Sequence, residues 1–172
     1  MSDISVIARH AVTVLAGQLA VMAFGVTDTI VAGRFSADAL AALSVASAVF
    51  VSVYVSLMGV LQALLPVWAE QHGRGETAAI GQSFRQSLYL AAAASVLGMG
   101  VLLFPEPLLR LTEVPDAMRE SVRDYLIIVG WALPSALFFR LYTTLNQALG
   151  RPQLVTWIQV GALVLKVPLS IW

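Results

Sequence analysis

Three ionisable side chains interrupt runs that otherwise carry no charge: Asp28 between Ala11 and Ala32, Arg140 between Tyr125 and Gly150, and Lys166 between Pro152 and Trp172. Leaving such a group unpaired at membrane depth costs several kcal/mol, so pairing or a water-filled interior is the expectation for each. A carboxylate so placed marks an ion or proton path, although Asp28, two turns from Gly33-Arg34, could instead cap a helix end near the headgroups. Arg140, Thr143, Thr144 and Gln147 form a polar stripe at helical spacing. The arginine could meet a carboxylate across a bundle, snorkel to an interface, or contact a substrate. Gln18, Met22, Gly25 and Thr29 share one helix face, either a cavity wall or a close helix contact at Gly25. Tyr54, Trp131, Phe138 and Phe139 could line a cavity for flat cations through their ring faces, and Asn146 is a further polar candidate.

The elements that must position these residues are long and apolar. Of 172 residues, 59% are hydrophobic and 12% charged, and mean hydropathy is +0.83. Soluble domains carry about 25% charged residues, so this is an all-α membrane protein, a bundle embedded in a lipid bilayer. Five helices are predicted, over 6–32, 37–69, 77–104, 116–149 and 152–172, all in one partial transmembrane bundle. The first is too long for a signal-peptide core and is read as a retained span. The second exceeds a perpendicular crossing, and Pro66, lacking an N–H, should bend its last turn. Gly73-Arg74-Gly75 is a turn, with Thr77 as N-cap of the next helix. The third span is rich in Ala, Ser and Gly, including Gly98 and Gly100, and should pack on several sides. Glu106 to Asp124 reads as an interfacial, solvated face, with Leu108, Leu109 and Leu111 apolar. Gly150-Arg151-Pro152 is a tight turn in which proline opens a helix.

Several classes are excluded or unsupported. Net charge is zero, so nothing favours nucleic acid. With no cysteine, disulfides and thiolate metal sites are ruled out. His10 and His72 sit near helix ends, and no metal site or cofactor is expected. No nucleophile elbow, zinc-binding His pair or phosphate-binding Gly-Lys pair points to an enzyme. Basic residues do not orient the chain: Arg9, Arg74, Arg85 and Arg151 fall on one side, Arg34, Arg110, Arg119 and Arg123 on the other.

Specific stretches resemble a known family. Gly17-Gln18-Leu19-Ala20, the run from Met22 through Asp28-Thr29 to Ala32-Gly33, and the restart Ser36-Ala37 to Leu40-Ala41-Ala42 are similar to the first helix of the multidrug and toxic compound extrusion (MATE) transporters. These are NorM-like, cation-coupled drug antiporters. The likeness extends through Pro66, the Gly73-Arg74-Gly75 and Gly150-Arg151-Pro152 turns, and the Pro168 segment. It implies the amino-terminal lobe of a MATE-type antiporter, about five helices of twelve, truncated in the fifth, with the carboxy-terminal half missing and the amino terminus cytoplasmic. It further implies multidrug efflux of organic cations or similar drugs from the bacterial inner membrane, by two halves rocking about a central cavity.

The resemblance also assigns roles. Asp28 matches the family's first-helix aspartate, which faces a cavity and couples export to H⁺ or Na⁺ influx. Many relatives carry Asn-x-Pro-x-Asn on the fifth helix. Here that stretch is Lys166-Val167-Pro168-Leu169-Ser170, with lysine and serine in place of the asparagines. A lysine beside Asp28 would take the electrostatic place of a bound Na⁺ and remove an oxygen ligand. The expectation is therefore proton coupling, with Asp28, Lys166 and Ser170 as the coupling residues and Gln18, Met22, Thr29, Tyr54, Arg140 and Asn146 as cavity or substrate candidates. The alternatives are a lipid-linked sugar or polysaccharide flippase, a non-transporting remnant or scaffold, and a photoreceptor with Lys166 as Schiff base.

Overall fold

The computed structural model of the chain describes residues 3–111 and 115–171, with the side chains of 3–10, 13, 20, 110, 111, 117, 152 and 166–171 outside the description. Among the described residues seven helices follow one another: α1 (Asp3–Phe35), α2 (Ala37–Gln62), α3 (Leu64–Gly73), α4 (Thr77–Leu103), α5 (Glu106–Leu111), α6 (Asp116–Ala148) and α7 (Pro152–Ile171). Four stretches are long and apolar enough to cross a membrane: Val14–Phe35, Ala37–Gly73, Thr77–Leu103 and Met118–Ala148. Among the described residues there is no strand, as expected where lipid offers no partner for open backbone groups.

The turns follow from local chemistry. Ser36 is extended, and its hydroxyl accepts the Ala39 N–H at 2.9 Å, so a single residue separates α1 from α2. Gly75 (φ +73°) and Gly150 (φ +67°) take the left-handed conformation that closes a helix. At the second, Gly150 N–H reaches Gln147 O at 3.1 Å and Arg151 N–H reaches Asn146 O at 2.8 Å. Thr77 is not the N-cap expected of it. It is the first helical residue, and Glu76 stands at the cap with no side-chain bond. Pro66 acts further back than its own turn. Its missing N–H would have bonded the Gln62 carbonyl, and the interruption between α2 and α3 falls at Ala63.

The core lies between α2, α4 and α6. On α6, Val122, Leu126, Leu133, Leu137, Leu141 and Ala148 recur at intervals of four or seven and form one buried stripe. On α4 the buried stripe is Ile80, Ser87, Ala91, Ala94, Ser95, Gly98 and Leu102. A Cβ on Gly98 would strike the Leu133 side chain and lie 2.6 Å from Leu57 Cδ1, so glycine sets the approach of three helices. Tyr89, Val96 and Leu97 on the outer face of α4 are exposed, so that helix presents one side to lipid. Trp68 of α3 is fully buried, and its indole N–H donates to Ser83 Oγ at 3.0 Å. The α1–α7 pair stands beside this core. The two pack chiefly on each other and reach the rest through α2 and α6. Among the described residues of α1 and α7, Gly17 and Val155 are buried.

Candidate functional site

Where the α1–α7 pair meets the core, the packing opens into a cavity of about 560 Å³. Gln18, Val21 and Phe24 of α1, Tyr54 and Met58 of α2, Phe139, Arg140 and Thr143 of α6, and Ile158, Gln159 and Ala162 of α7 line it. The stripe predicted on α6 therefore faces inward. Thr143 and Thr144 are buried and donate to the Phe139 and Arg140 carbonyls at 2.9 and 3.0 Å, which satisfies the hydroxyl protons within the helix. Arg140 does not snorkel. Its Nη2 donates to Gln62 Oε1 at 2.7 Å, tying α6 to the last residue of α2 beside the break at Ala63. Its Nε is buried and has no acceptor among the described residues. A narrow void of about 20 Å³ continues from the cavity between Val14, Gln18, Gln147, Val155, Thr156 and Gln159.

A second hollow of about 480 Å³ lies between α1 and α2, lined by Met22, Gly25, Val26, Asp28, Thr29, Ile30, Leu43, Ser44 and Ser47. Asp28 is half-buried on its wall. The hydroxyls flanking it turn back on their own helix: Thr27 donates to Ala23 O at 2.8 Å and Thr29 to Gly25 O at 2.9 Å. Gly25 makes no close helix contact, since a Cβ there would meet nothing within 4 Å. Gly17 does, because a Cβ there would lie 2.7 Å from Gln159 Oε1 and 3.3 Å from Thr156 Oγ1. That contact sets the register of two parallel helices. The side chains of Lys166 and Ser170 lie outside the described residues.

A family model described as MatE matches residues 14–172. This chain belongs to the MatE family. A probable multidrug resistance protein NorM of Aromatoleum aromaticum is 37% identical over 162 residues, covering 94% of this chain and 35% of that protein. A namesake in Neisseria meningitidis serogroup B is 29% identical over 172 residues, with 99% and 37% covered. The multidrug resistance protein MdtK of Pectobacterium atrosepticum is 32% identical over 162 residues, with 93% and 35% covered. The chain thus spans roughly a third of the length of these MatE-family relatives.

Within this MatE-family chain the candidate residues divide between the two hollows. Gln18, Tyr54, Phe139 and Arg140 come together in the larger cavity, whereas Met22, Gly25, Asp28 and Thr29 line the groove. The single face drawn through Gln18, Met22 and Thr29 is therefore split, because α7 covers one edge of it and α2 the other. Trp131 is 68% exposed and Phe138 is exposed, which corrects their place on a cavity wall. Asn146 spends its amide on the Tyr142 carbonyl at 2.8 Å. Gln62, Phe24 and Gln159 were missed. The two glutamines had a signal, an amide inside an apolar run, which calls for a partner. Among the described residues no cluster of His, Asp or Glu could hold a metal ion. Charged side chains on α5 and the first turns of α6 pair instead, Arg119 with Asp116 at 2.9 Å and Arg123 with Glu106 at 3.3 Å.

Proposed function

We propose that the chain works within a longer MatE-family transporter of the bacterial plasma membrane, exporting drug-like compounds in exchange for inward-moving cations, protons in preference to Na⁺. The observation that carries the reading is the position of Asp28, half-buried on the wall of a hollow between two helices long and apolar enough to cross a membrane. The multidrug resistance names of the relatives support the same reading. Apart from Asp28 the described residues of the groove offer three hydroxyl oxygens, those of Thr29, Ser44 and Ser47. A hard alkali cation needs several oxygens at once, whereas a proton needs one carboxylate. Lys166 adds a positive charge in place of an oxygen. In this mechanism Asp28 releases or takes up a proton as the lysine charge is shared with it.

The test uses the longer polypeptide reconstituted in vesicles. A pH gradient without Na⁺ should drive efflux of a fluorescent drug, and Asp28→Asn and Lys166→Asn should each reduce it to background. Efflux undiminished in both variants, or driven by a Na⁺ gradient and not by a pH gradient, would overturn the mechanism.

A further inference from the structure

The cavity that meets α1, α2, α6 and α7 holds an arginine whose charge no described residue balances. Among the described residues lining it, Arg140 is the only charged one. None of the ion pairs among the described residues includes it, and its one side-chain hydrogen bond goes to a neutral amide, that of Gln62. A guanidinium carries five N–H donors, and here the buried Nε proton has no acceptor. Burying a charge so incompletely satisfied is costly, and an incoming anion relieves that cost.

We propose that this cavity binds an aromatic carboxylate, an inference that rests on the transport reading and gives it a substrate class. The planar guanidinium fork, Nε with a neighbouring Nη, matches the two oxygens of a carboxylate. One negative charge neutralises one arginine, whereas a doubly charged phosphate would leave an excess in a hollow otherwise uncharged among its described residues. The amides of Gln18 and Gln159 and the Tyr54 hydroxyl can complete the polar contacts, and Phe24, Met58 and Phe139 supply a wall for flat rings. At about 560 Å³ the space fits one drug-sized molecule. An organic cation entering the same space would meet a like charge.

The longer polypeptide in phosphatidylcholine nanodiscs tests this by equilibrium binding of naphthoate and of naphthylmethylammonium, two probes of like shape and opposite charge. Naphthoate should bind about tenfold or more tighter than the ammonium, and Arg140→Gln should erase that preference. Arg140→Lys, which keeps the charge and loses the fork, should fall between. Gln159→Leu leaves the Arg140–Gln62 bond in place and should weaken naphthoate about three- to tenfold, which keeps the test decisive if the arginine variants fold poorly. Equal affinity for both probes, or naphthoate binding untouched by Arg140→Gln and Gln159→Leu, overturns the proposal. Adding phosphatidylglycerol should leave naphthoate binding unchanged, and competition by that lipid would assign the site to a lipid phosphate and overturn the carboxylate. A protein that pumps a drug but ignores naphthoate sinks this inference alone. One that binds naphthoate through Arg140 but pumps nothing sinks the transport reading alone.

Discussion

The α2–α4–α6 core and the α1–α7 pair are built from similarly apolar helices, yet they are held by opposite means. In the core, leucines from α6 interlock with alanines and Gly98 of α4, and there is no room for a Cβ at the centre. Along the seam with α1 and α7, amides, hydroxyls and an arginine stand among apolar side chains around hollows of about 560 and 480 Å³. Lipid removes the hydrophobic drive for helices to associate, so the difference lies in packing density and polar bonds. The core has both shape and dispersion to hold it. The bond beside the seam, Arg140 to Gln62, joins α6 to α2, and the seam itself is left open by the two hollows.

Mutations can break that contrast. The largest effect is expected in the core: Gly98→Val must push aside Leu133 and Leu57, and should cost about 3 kcal/mol, read as a lower thermal midpoint in detergent. At the seam, Gln62→Leu leaves the Arg140 guanidinium without its neutral partner and should cost about 2 kcal/mol. A matching loss when Arg140→Gln is combined with it, instead of an additive one, would show the bond itself by double-mutant cycle. Ser36→Ala removes the cap between α1 and α2 and should cost about 1 kcal/mol. Gly25→Ala places a methyl in open groove and should shift stability by less than about 0.5 kcal/mol while narrowing the space beside Asp28. If Gly25→Ala destabilised the protein as much as Gly98→Val, core and seam would not differ as described.

The local rules were legible because they act within a few residues. Gly75, Gly150 and Ser36 stop or start helices wherever they sit, and the uncharged runs could only be spans in lipid. Pro66 shows the limit of that reading. The bend was placed in its own turn, but the bond it deletes belongs to Gln62, four residues earlier, and the break falls beside that residue. Thr77 illustrates another limit: Glu76 occupies the cap because the Gly75 turn ends one residue sooner. Trp131 looked like a cavity aromatic by type, yet its face of α6 is the one turned from the leucine stripe.

The motifs from Gly17 to Ala42 and the Gly-Arg turns carried the resemblance to the MatE family, and length, apolarity and turn residues determined an all-α membrane bundle with a carboxylate at position 28 and a cation at 140 inside uncharged runs. Which hollow each of them faces was decided only by the tertiary structure. A single helix presents several faces at once, and it took α7 against Gly17 and α2 against Asp28 to divide α1 into an arginine side and an aspartate side. The contact at Gly17 joins residues more than a hundred positions apart, beyond the reach of any pattern along one helix.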